Sequence, residues 1–181
     1  MTGMPIDLDL SRDLLLRTTE KLLAGRNRAG HWEGELSSSA LSTATATFAL
    51  HLYQKSLISG AAEGGPGELG PVIDRGIDWL IRHQNPDGGW GDTTLSLSNI
   101  STTALCWAAL ASAKMQASAA VARAEQWLTV SAGGLDPGSL SRAIKGRYGK
   151  DKTFSVPILT MCALAGRLGE GPAAWKSIPQ L

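Results

Sequence analysis

The feature that most constrains this chain is a glutamine that follows a helix-like run and precedes a tryptophan by six residues. Residues 75–83 lead to Gln84, Pro86 and two glycines follow, and Trp90 comes next. Pro86 cannot continue a helix, and the glycine pair at 88–89 can take positive φ. The spacing therefore predicts a helix end, a turn and an indole folded back over that end. We expect the Gln84 amide to bond the last carbonyls of the helix beneath the indole.

Composition fits one ordinary globular domain rather than a nucleic-acid-binding, secreted or membrane-spanning chain. Of the 181 residues, 43% are hydrophobic and the net charge is +1, with no cluster of Lys and Arg interleaved with aromatics. Nucleic acid is therefore not an expected partner. Cys106 and Cys162 stand apart in apolar runs, which predicts two buried free thiols and a reducing cytoplasm. Neither a signal peptide nor an apolar run of membrane-spanning length is evident.

Hydrophobic periodicity predicts six helices and no strand. The first starts after an N-cap at Ser11, and the others cover residues 40–57, 71–83, 101–114, 118–130 and 156–168. Charged, amphipathic helices alternate with nearly uncharged ones, which favours outer helices wrapped on inner helices. The Gly-rich segment 59–70 is predicted to be a mobile surface loop.

The predicted helix ends repeat along the chain. Residues 26–32 align with residues 84–90 at a shift of 58 positions, and Trp32 then matches Trp90. At a shift of 48, Trp127 matches Trp79, which places Ala132 where Gln84 stands. One complete and two degraded copies of a helix-end unit indicate part of an α/α toroid.

Three blocks of sequence resemble, in order, the N-terminal region of squalene-hopene cyclases within the terpene cyclase superfamily. They are residues 30–36 with 39–44, the 84–90 block that is similar to the family's QW motif, and a third block running from 133–135 through 148–151 and 154–166 to 175–179. The resemblance implies an all-α, α/α toroid fold. It also implies an N-terminal extension at 1–10 and a squalene-cyclase N-terminal-like domain at 11–181, within a longer two-domain protein.

The residues that the resemblance singles out are structural rather than catalytic. The QW motif comprises Gln84, Gly89 and Trp90, and its degraded copy contains Gly30 and Trp32. Three further residues are implied to line a cavity: Phe154, Met161 and Cys162. The family tends to place an aromatic beside the equivalent of Met161, so Cys162 departs from its pattern.

The acid that starts the family's reaction is missing from this sequence. The family protonates its polyene with a D-x-D-D motif in the later half of full-length proteins. Here Asp7 and Asp9 form only D-x-D before Leu10, a pattern typical of acids that lead a helix. The resemblance implies an N-terminal domain of a squalene/hopene-type triterpene cyclase, inactive alone and without catalytic residues or a cofactor. The implied partners are squalene or a similar polyprenoid bound by the full-length protein, the C-terminal catalytic half, and the inner membrane surface.

Two other functions stay open at this stage. A non-catalytic α/α interaction or lipid-binding module would keep the scaffold and lose the acid. A protein prenyltransferase β-type barrel would need an Asp/Cys/His zinc set. His31, His51 and His83 lack acid partners at metal spacing, so no metal is expected. A D-x-D-D motif downstream of Leu181 would favour the cyclase.

Overall fold

The computed structural model describes residues 7–32, 37–60 and 69–179, and the chain divides into two compact units, Met1–Ser37 and Ser38–Leu181. The described residues are all-α and contain no strand, which confirms the predicted fold class. The helices are α1 Leu8–Ala24, α2 Ala40–Ile58, α3 Leu69–Arg82, α4 Ile100–Ala109, a 3₁₀ helix Leu110–Ala117, α5 Ser118–Ala132, α6 Pro137–Tyr148, α7 Lys152–Leu164 and α8 Gly171–Trp175.

The first unit holds α1 and the turn that follows it. The Asp7 carboxylate caps α1 by accepting the backbone N–H groups of Asp9 and Leu10, both at 3.0 Å. The predicted N-cap at Ser11 is therefore wrong, because the acid four residues earlier satisfies the first free N–H groups. Residues 8–10, assigned from sequence to an extension, belong to this helix.

The second unit consists of two packed rows of helices. In one row, α4 lies between α2 and α7; in the other, α3 packs on α2, α5 packs on α4, and α6 packs on α5 and α7. Every residue of α4 from Ser101 to Ala109 is buried. The nearly uncharged helices thus form the inner row, as the alternation of charge predicts.

The fourth and sixth predicted helices also have different bounds in the structure. The fourth ends as an α-helix at Ala109 and runs on as the 3₁₀ helix directly into α5, because residues 110–117 contain no Gly or Pro to interrupt them. The sixth begins at Lys152 rather than at 156. Asp151 caps it by accepting the Thr153 N–H at 2.8 Å, and Pro157 is accommodated inside the helix.

Helix α6 is absent from the sequence prediction although its start carries a clear signal. Asp136 accepts the Ser139 N–H at 3.0 Å, and Pro137 occupies the first helical position. That combination is typical of a helix N-terminus. Gly138 and Gly146 inside the helix weaken its periodic pattern and its propensity, which explains the omission.

Several further predictions can be compared with the structure. Cys106 and Cys162 are free and buried, as predicted; burial raises the pKa of the Cys106 thiol and raises that of Cys162 to about 12. Positions 61–68 of the predicted mobile loop lie outside the described residues, and α3 begins at Leu69 rather than at 71. None of the described helices is long and apolar enough to cross a membrane.

Candidate functional site

Residues 84–90, which we call the tryptophan turn, follow the end of α3. The Trp90 indole is fully buried and its Nε1 donates a hydrogen bond to the Leu80 carbonyl at 2.9 Å. Leu80 lies in the last turn of α3, whose final carbonyls have no partner within the helix. The sequence prediction gave this bond to Gln84, and the structure gives it to the indole.

Gln84 instead connects the turn to α5. Its Nε2 donates to the Gly88 carbonyl at 2.8 Å and to the Ala120 carbonyl at 2.9 Å. Its Oε1 accepts a hydrogen bond from the Arg123 guanidinium. The amide group therefore closes the turn on itself and attaches it to the neighbouring outer helix.

The two glycines of the turn are required for different reasons. Gly88 has a φ of +92°, and a Cβ there would lie 2.7 Å from the Arg123 carbonyl oxygen. Gly89 does not have positive φ, contrary to the sequence prediction. A Cβ at Gly89 would lie 2.6 Å from the Ser98 Cβ, so the following loop leaves no room for a side chain.

The turn also reaches the start of α4. The Trp90 N–H donates to the Thr103 Oγ1 at 3.0 Å, and the Trp90 carbonyl accepts the Asn99 N–H at 3.0 Å. Since Asn99 is the N-cap of α4, one short segment makes contacts with three helices. The role of Gln84, Gly89 and Trp90 as a structural clamp stays a prediction, which substitutions can test.

The carboxylates beside the turn are hydrogen-bond acceptors. Asp87 accepts the Gly89 N–H at 3.0 Å, the Ser98 hydroxyl at 2.7 Å and the Trp127 indole N–H at 3.0 Å. Partial burial opposes ionisation of Asp87, but these bonds outweigh it and lower the Asp87 pKa. Hydrogen bonds from Thr102 and Asn99 likewise lower the Asp92 pKa. Neither carboxyl has the raised pKa of a strong proton donor held protonated. The sequence analysis did not assign Asp87 this role.

The first unit repeats the tryptophan turn nearly bond for bond. Trp32 Nε1 donates to the Leu22 carbonyl at 2.5 Å, and Arg26 Nε donates to the Gly30 carbonyl at 2.7 Å. In the first unit, the Asn27 N–H donates to the His31 carbonyl at 2.9 Å, and the Gly30 N–H donates to the Asn27 carbonyl at 3.0 Å. The equivalent backbone bonds of the second copy, from Asn85 to Gly89 and from Gly88 to Asn85, are both 2.9 Å long. These bonds confirm the alignment at a shift of 58, with an arginine as the donor in place of the glutamine. Gly30, at a φ of +87°, is the counterpart of Gly88.

The third copy retains only its helix end. Helix α5 ends at Ala132, and Gly133 follows with a φ of +74°. Across the described parts of the chain, no indole donates to the last turn of α5. Trp127 instead contributes its N–H to Asp87 of the second copy.

An apolar cavity of about 220 Å³ lies between the inner helices. Helix α2 contributes Leu41 and Thr45, α4 contributes Leu105, and the remaining lining residues are Tyr148, Phe154, Pro157, Ile158 and Met161. Phe154 and Met161 are thus at the cavity, as the resemblance implied, and Cys162 is not among its lining residues. Cys162 is buried against α4, with its Sγ 3.8 Å from the Ala104 carbonyl oxygen.

The hydroxyl groups at the cavity wall are hydrogen bonded within the protein. Thr45 Oγ1 donates to the Leu41 carbonyl at 2.9 Å, and the Tyr148 hydroxyl donates to Ser101 Oγ at 2.8 Å. The rings of Tyr148 and Phe154 stack with centroids 5.6 Å apart. The wall is therefore suited to a hydrocarbon that makes no hydrogen bonds. In the described ranges, no group of three His, Cys, Asp or Glu side chains could hold a metal ion.

Two rows of helices, tryptophan turns and an apolar cavity beside the inner row define an α/α toroid domain of the terpene cyclase type. Comparison with known protein families agrees: residues 15–162 match the squalene-hopene cyclase N-terminal domain. Since this match spans most of the chain, the protein belongs to that family. Neither the curated proteins nor the solved structures gave a match to the chain.

Proposed function

We propose that this chain is the N-terminal domain of a squalene/hopene-type triterpene cyclase, in which it supplies scaffold and one apolar wall of the substrate site. The observation that carries the proposal is the cavity between α2, α4 and α7, whose hydroxyl groups are already bonded. A surface of this kind suits a long polyprenoid such as squalene, which offers no hydrogen-bonding group. The aromatic pair at its edge could face a carbocation.

The proton donor is assigned to a second, C-terminal half. Protonating an isolated alkene needs a carboxylic acid held protonated in a dry site. The sequence has no D-x-D-D motif, and the pKa values of Asp87 and Asp92 are lowered rather than raised. In this proposal, residues 11–181 form one domain of a two-domain isomerase that makes hopanoid-type triterpenoids without a cofactor. The assembled protein lies in the cytoplasm on the inner face of the membrane.

A second candidate is a non-catalytic lipid-binding module. The same cavity supports it, because an apolar site without an acid can hold a hydrocarbon but cannot protonate it. The two candidates predict different coding sequences after Leu181. A following segment with D-x-D-D favours the cyclase, and a stop codon favours the module.

The direct test is an incubation of the purified chain with squalene in detergent, followed by gas chromatography of the neutral lipids. We expect no cyclised product from the chain alone. Co-expression with the D-x-D-D half of a squalene-hopene cyclase is expected to restore product, and a variant of that half with its acid replaced by asparagine is the control. Product from the chain alone, above a heat-killed sample, would overturn the assignment of the acid to the missing half.

In the same co-expression, Met161→Asp should lower product because it places a charge at the cavity wall. Leu164→Asp is the matched control, since Leu164 is on the same helix but is half exposed and away from the cavity. Equal losses of product from the two variants would mean that the reaction does not depend on the cavity wall.

A further inference from the structure

A second cavity, of about 470 Å³, lies between α5, the 3₁₀ helix and the turn after α7. It shares no lining residue with the apolar cavity. Small and apolar side chains form most of its wall, among them Ala111, Val121 and Ala122, whereas Glu125 and Arg167 bring opposite charges to it. We call this space the Arg167 cavity.

Trp107 holds the guanidinium group of Arg167 in place. Nε and Nη2 of Arg167 donate to the Trp107 carbonyl at 3.3 and 3.0 Å, and Cζ lies 4.3 Å from the centroid of the indole ring. The Arg167 N–H donates to the Cys162 carbonyl at 2.8 Å, which fixes the backbone of the turn. The Arg167 side chain is only 18% exposed. Its Nη1 makes no hydrogen bond to the residues that the structure describes, so this group can still donate to a ligand.

The same tryptophan orients the carboxylate of Glu125. The Trp107 indole N–H donates to Oε1 of Glu125 at 3.0 Å. That oxygen lies 3.7 Å from Nη1 of Arg167, which is close enough for charge attraction but too far for a hydrogen bond. In the described parts of the chain, Oε2 of Glu125 accepts no hydrogen bond. The cavity therefore presents an unused donor and an unused acceptor side by side, and both are oriented before a ligand arrives.

The charges and their spacing restrict the kind of ligand. Burial lowers the pKa of Arg167, and the Glu125 carboxylate opposes that shift. An anion in the cavity would be repelled by Glu125 and a cation by Arg167, so the pair favours a neutral ligand. Because the two groups are neighbours, the ligand must offer its acceptor and its donor from one edge. A primary carboxamide does so, whereas a trans peptide group directs its oxygen and its N–H to opposite sides.

We propose that the Arg167 cavity binds a primary carboxamide with an aliphatic chain. The amide oxygen accepts a hydrogen bond from Nη1 of Arg167, and an amide N–H donates to Glu125. The aliphatic chain lies against Ala111, Val121 and Ala122. Small amides and the side chains of glutamine and asparagine in a partner protein both carry this group. The inference does not depend on the proposed function, because the cavity shares no residue with the proposed hydrocarbon site.

The test is a titration of the chain followed by nuclear magnetic resonance, through the assigned signal of the Trp107 indole N–H. That signal reports on the site because this N–H is bonded to Glu125. The probes are pentanamide, pentanoate and pentylammonium, which share one chain length and differ in charge. We expect pentanamide to move the signal saturably. Pentanoate and pentylammonium should bind at least about tenfold more weakly, since each loses one hydrogen bond to a charged group.

Glu125→Gln is the most informative variant. Glutamine can still accept the bond from the Trp107 indole but leaves Arg167 as an unbalanced cation. We expect pentanoate to bind this variant at least about tenfold more tightly than the unmodified chain and to become its preferred ligand. Arg167→Gln should weaken pentanamide binding at least about tenfold. Asp13→Asn, which unbalances Arg17 in the exposed ion pair of α1, is the matched control and should change neither affinity.

Unfolding midpoints establish that each variant is folded before affinities are compared. A Trp107 signal that pentanamide does not move would overturn the proposal, and so would equal affinities of the unmodified chain for pentanamide and pentanoate. A Glu125→Gln variant that still prefers pentanamide would reduce the ion pair to a structural contact. If Arg167→Gln does not fold, the preference of Glu125→Gln still decides.

A capped glutamine, N-acetylglutamine N-methylamide, distinguishes the two sources of the carboxamide. Binding at least as tight as that of pentanamide supports the side chain of a partner protein as the ligand. Binding of pentanamide alone supports a small amide.

Discussion

At the scale of single residues, the tryptophan turn divides two tasks between Gln84 and Trp90. The indole fills a fully buried position and bonds the end of α3, and the amide joins the turn to α5. Trp32 makes the same indole bond in the first unit but is half exposed. Substitutions of the two tryptophans therefore distinguish the stability that comes from the hydrogen bond from the stability that comes from burial of the ring.

Trp90→Ala is expected to lower the free energy of unfolding by roughly 3–5 kcal/mol, the usual cost of truncating a buried aromatic. Trp32→Ala is the control and should cost much less, because a large part of its ring is already in water. Urea denaturation followed by circular dichroism measures both. Similar losses for the two variants would show that burial is not what makes Trp90 important.

Asp87 should make the stability of the protein depend on pH. Its folded pKa lies below the ordinary value, so the folded chain binds this proton more weakly than the unfolded chain. The stabilisation that ionised Asp87 provides is fully present above the ordinary pKa of an aspartate, about 4. It is lost as the pH falls through the lower folded value. Denaturation midpoints between neutral pH and about pH 3 should fall less steeply for Asp87→Asn than for the unmodified chain. Asp74→Asn, at an exposed position of α3, controls for the change in charge.

At the scale of elements, α2 and α3 pack closely at a glycine. A Cβ at Gly76 would collide with Oγ1 of Thr47, which is buried on α2. Glycine inside a helix normally costs stability relative to alanine. Its presence at this position is therefore explained by the packing of the two helices.

Gly76→Ala should destabilise the unmodified chain even though alanine favours helix. In a Thr47→Ala background, where the hydroxyl is gone, the same substitution should be close to neutral or stabilise by up to about 1 kcal/mol. Thermal unfolding of the four proteins of this double-mutant cycle gives the coupling. Additive effects would mean that Thr47 does not restrict Gly76.

The element scale also shows what the sequence could and could not predict. The alternation of charged and uncharged helices predicted the two rows, and the stop signals around Pro86 predicted the turn. The direction of its hydrogen bonds depends on how the turn folds back, which spacing alone does not define. The sequence was also insufficient to predict which residues line the cavity. Met161 and Cys162 are adjacent on α7, and adjacent residues point about 100° apart on a helix. Only Met161 is therefore among the lining residues.

At the scale of the molecule, the hydrophobic core belongs to the second unit. The buried residues of that cluster all lie between residues 40 and 174, and α1 has no buried residue. The sequence analysis placed residues 11–181 in one domain. That predicted domain includes parts of both compact units, Met1–Ser37 and Ser38–Leu181.

A chain that starts at residue 38 should therefore keep its cooperative unfolding transition. We expect its Tm to change by less than about 4 °C, the shift that about 1 kcal/mol produces in a domain of this size. Differential scanning calorimetry measures the transition. A broad or absent transition would show that the first unit stabilises the core.

The replacement of the glutamine by Arg26 in the first tryptophan turn changes how degraded copies of this motif can be recognised. What both copies share is a side-chain N–H that reaches a carbonyl four residues later, and glutamine and arginine both supply one. A pattern that specifies the letters Q and W misses the first copy. A pattern that asks for any long donor side chain six residues before a tryptophan, with glycine two residues before the tryptophan, detects both copies. Divergent repeats of this fold can therefore be recognised by the hydrogen bond that a position makes, even where the residue at that position has changed.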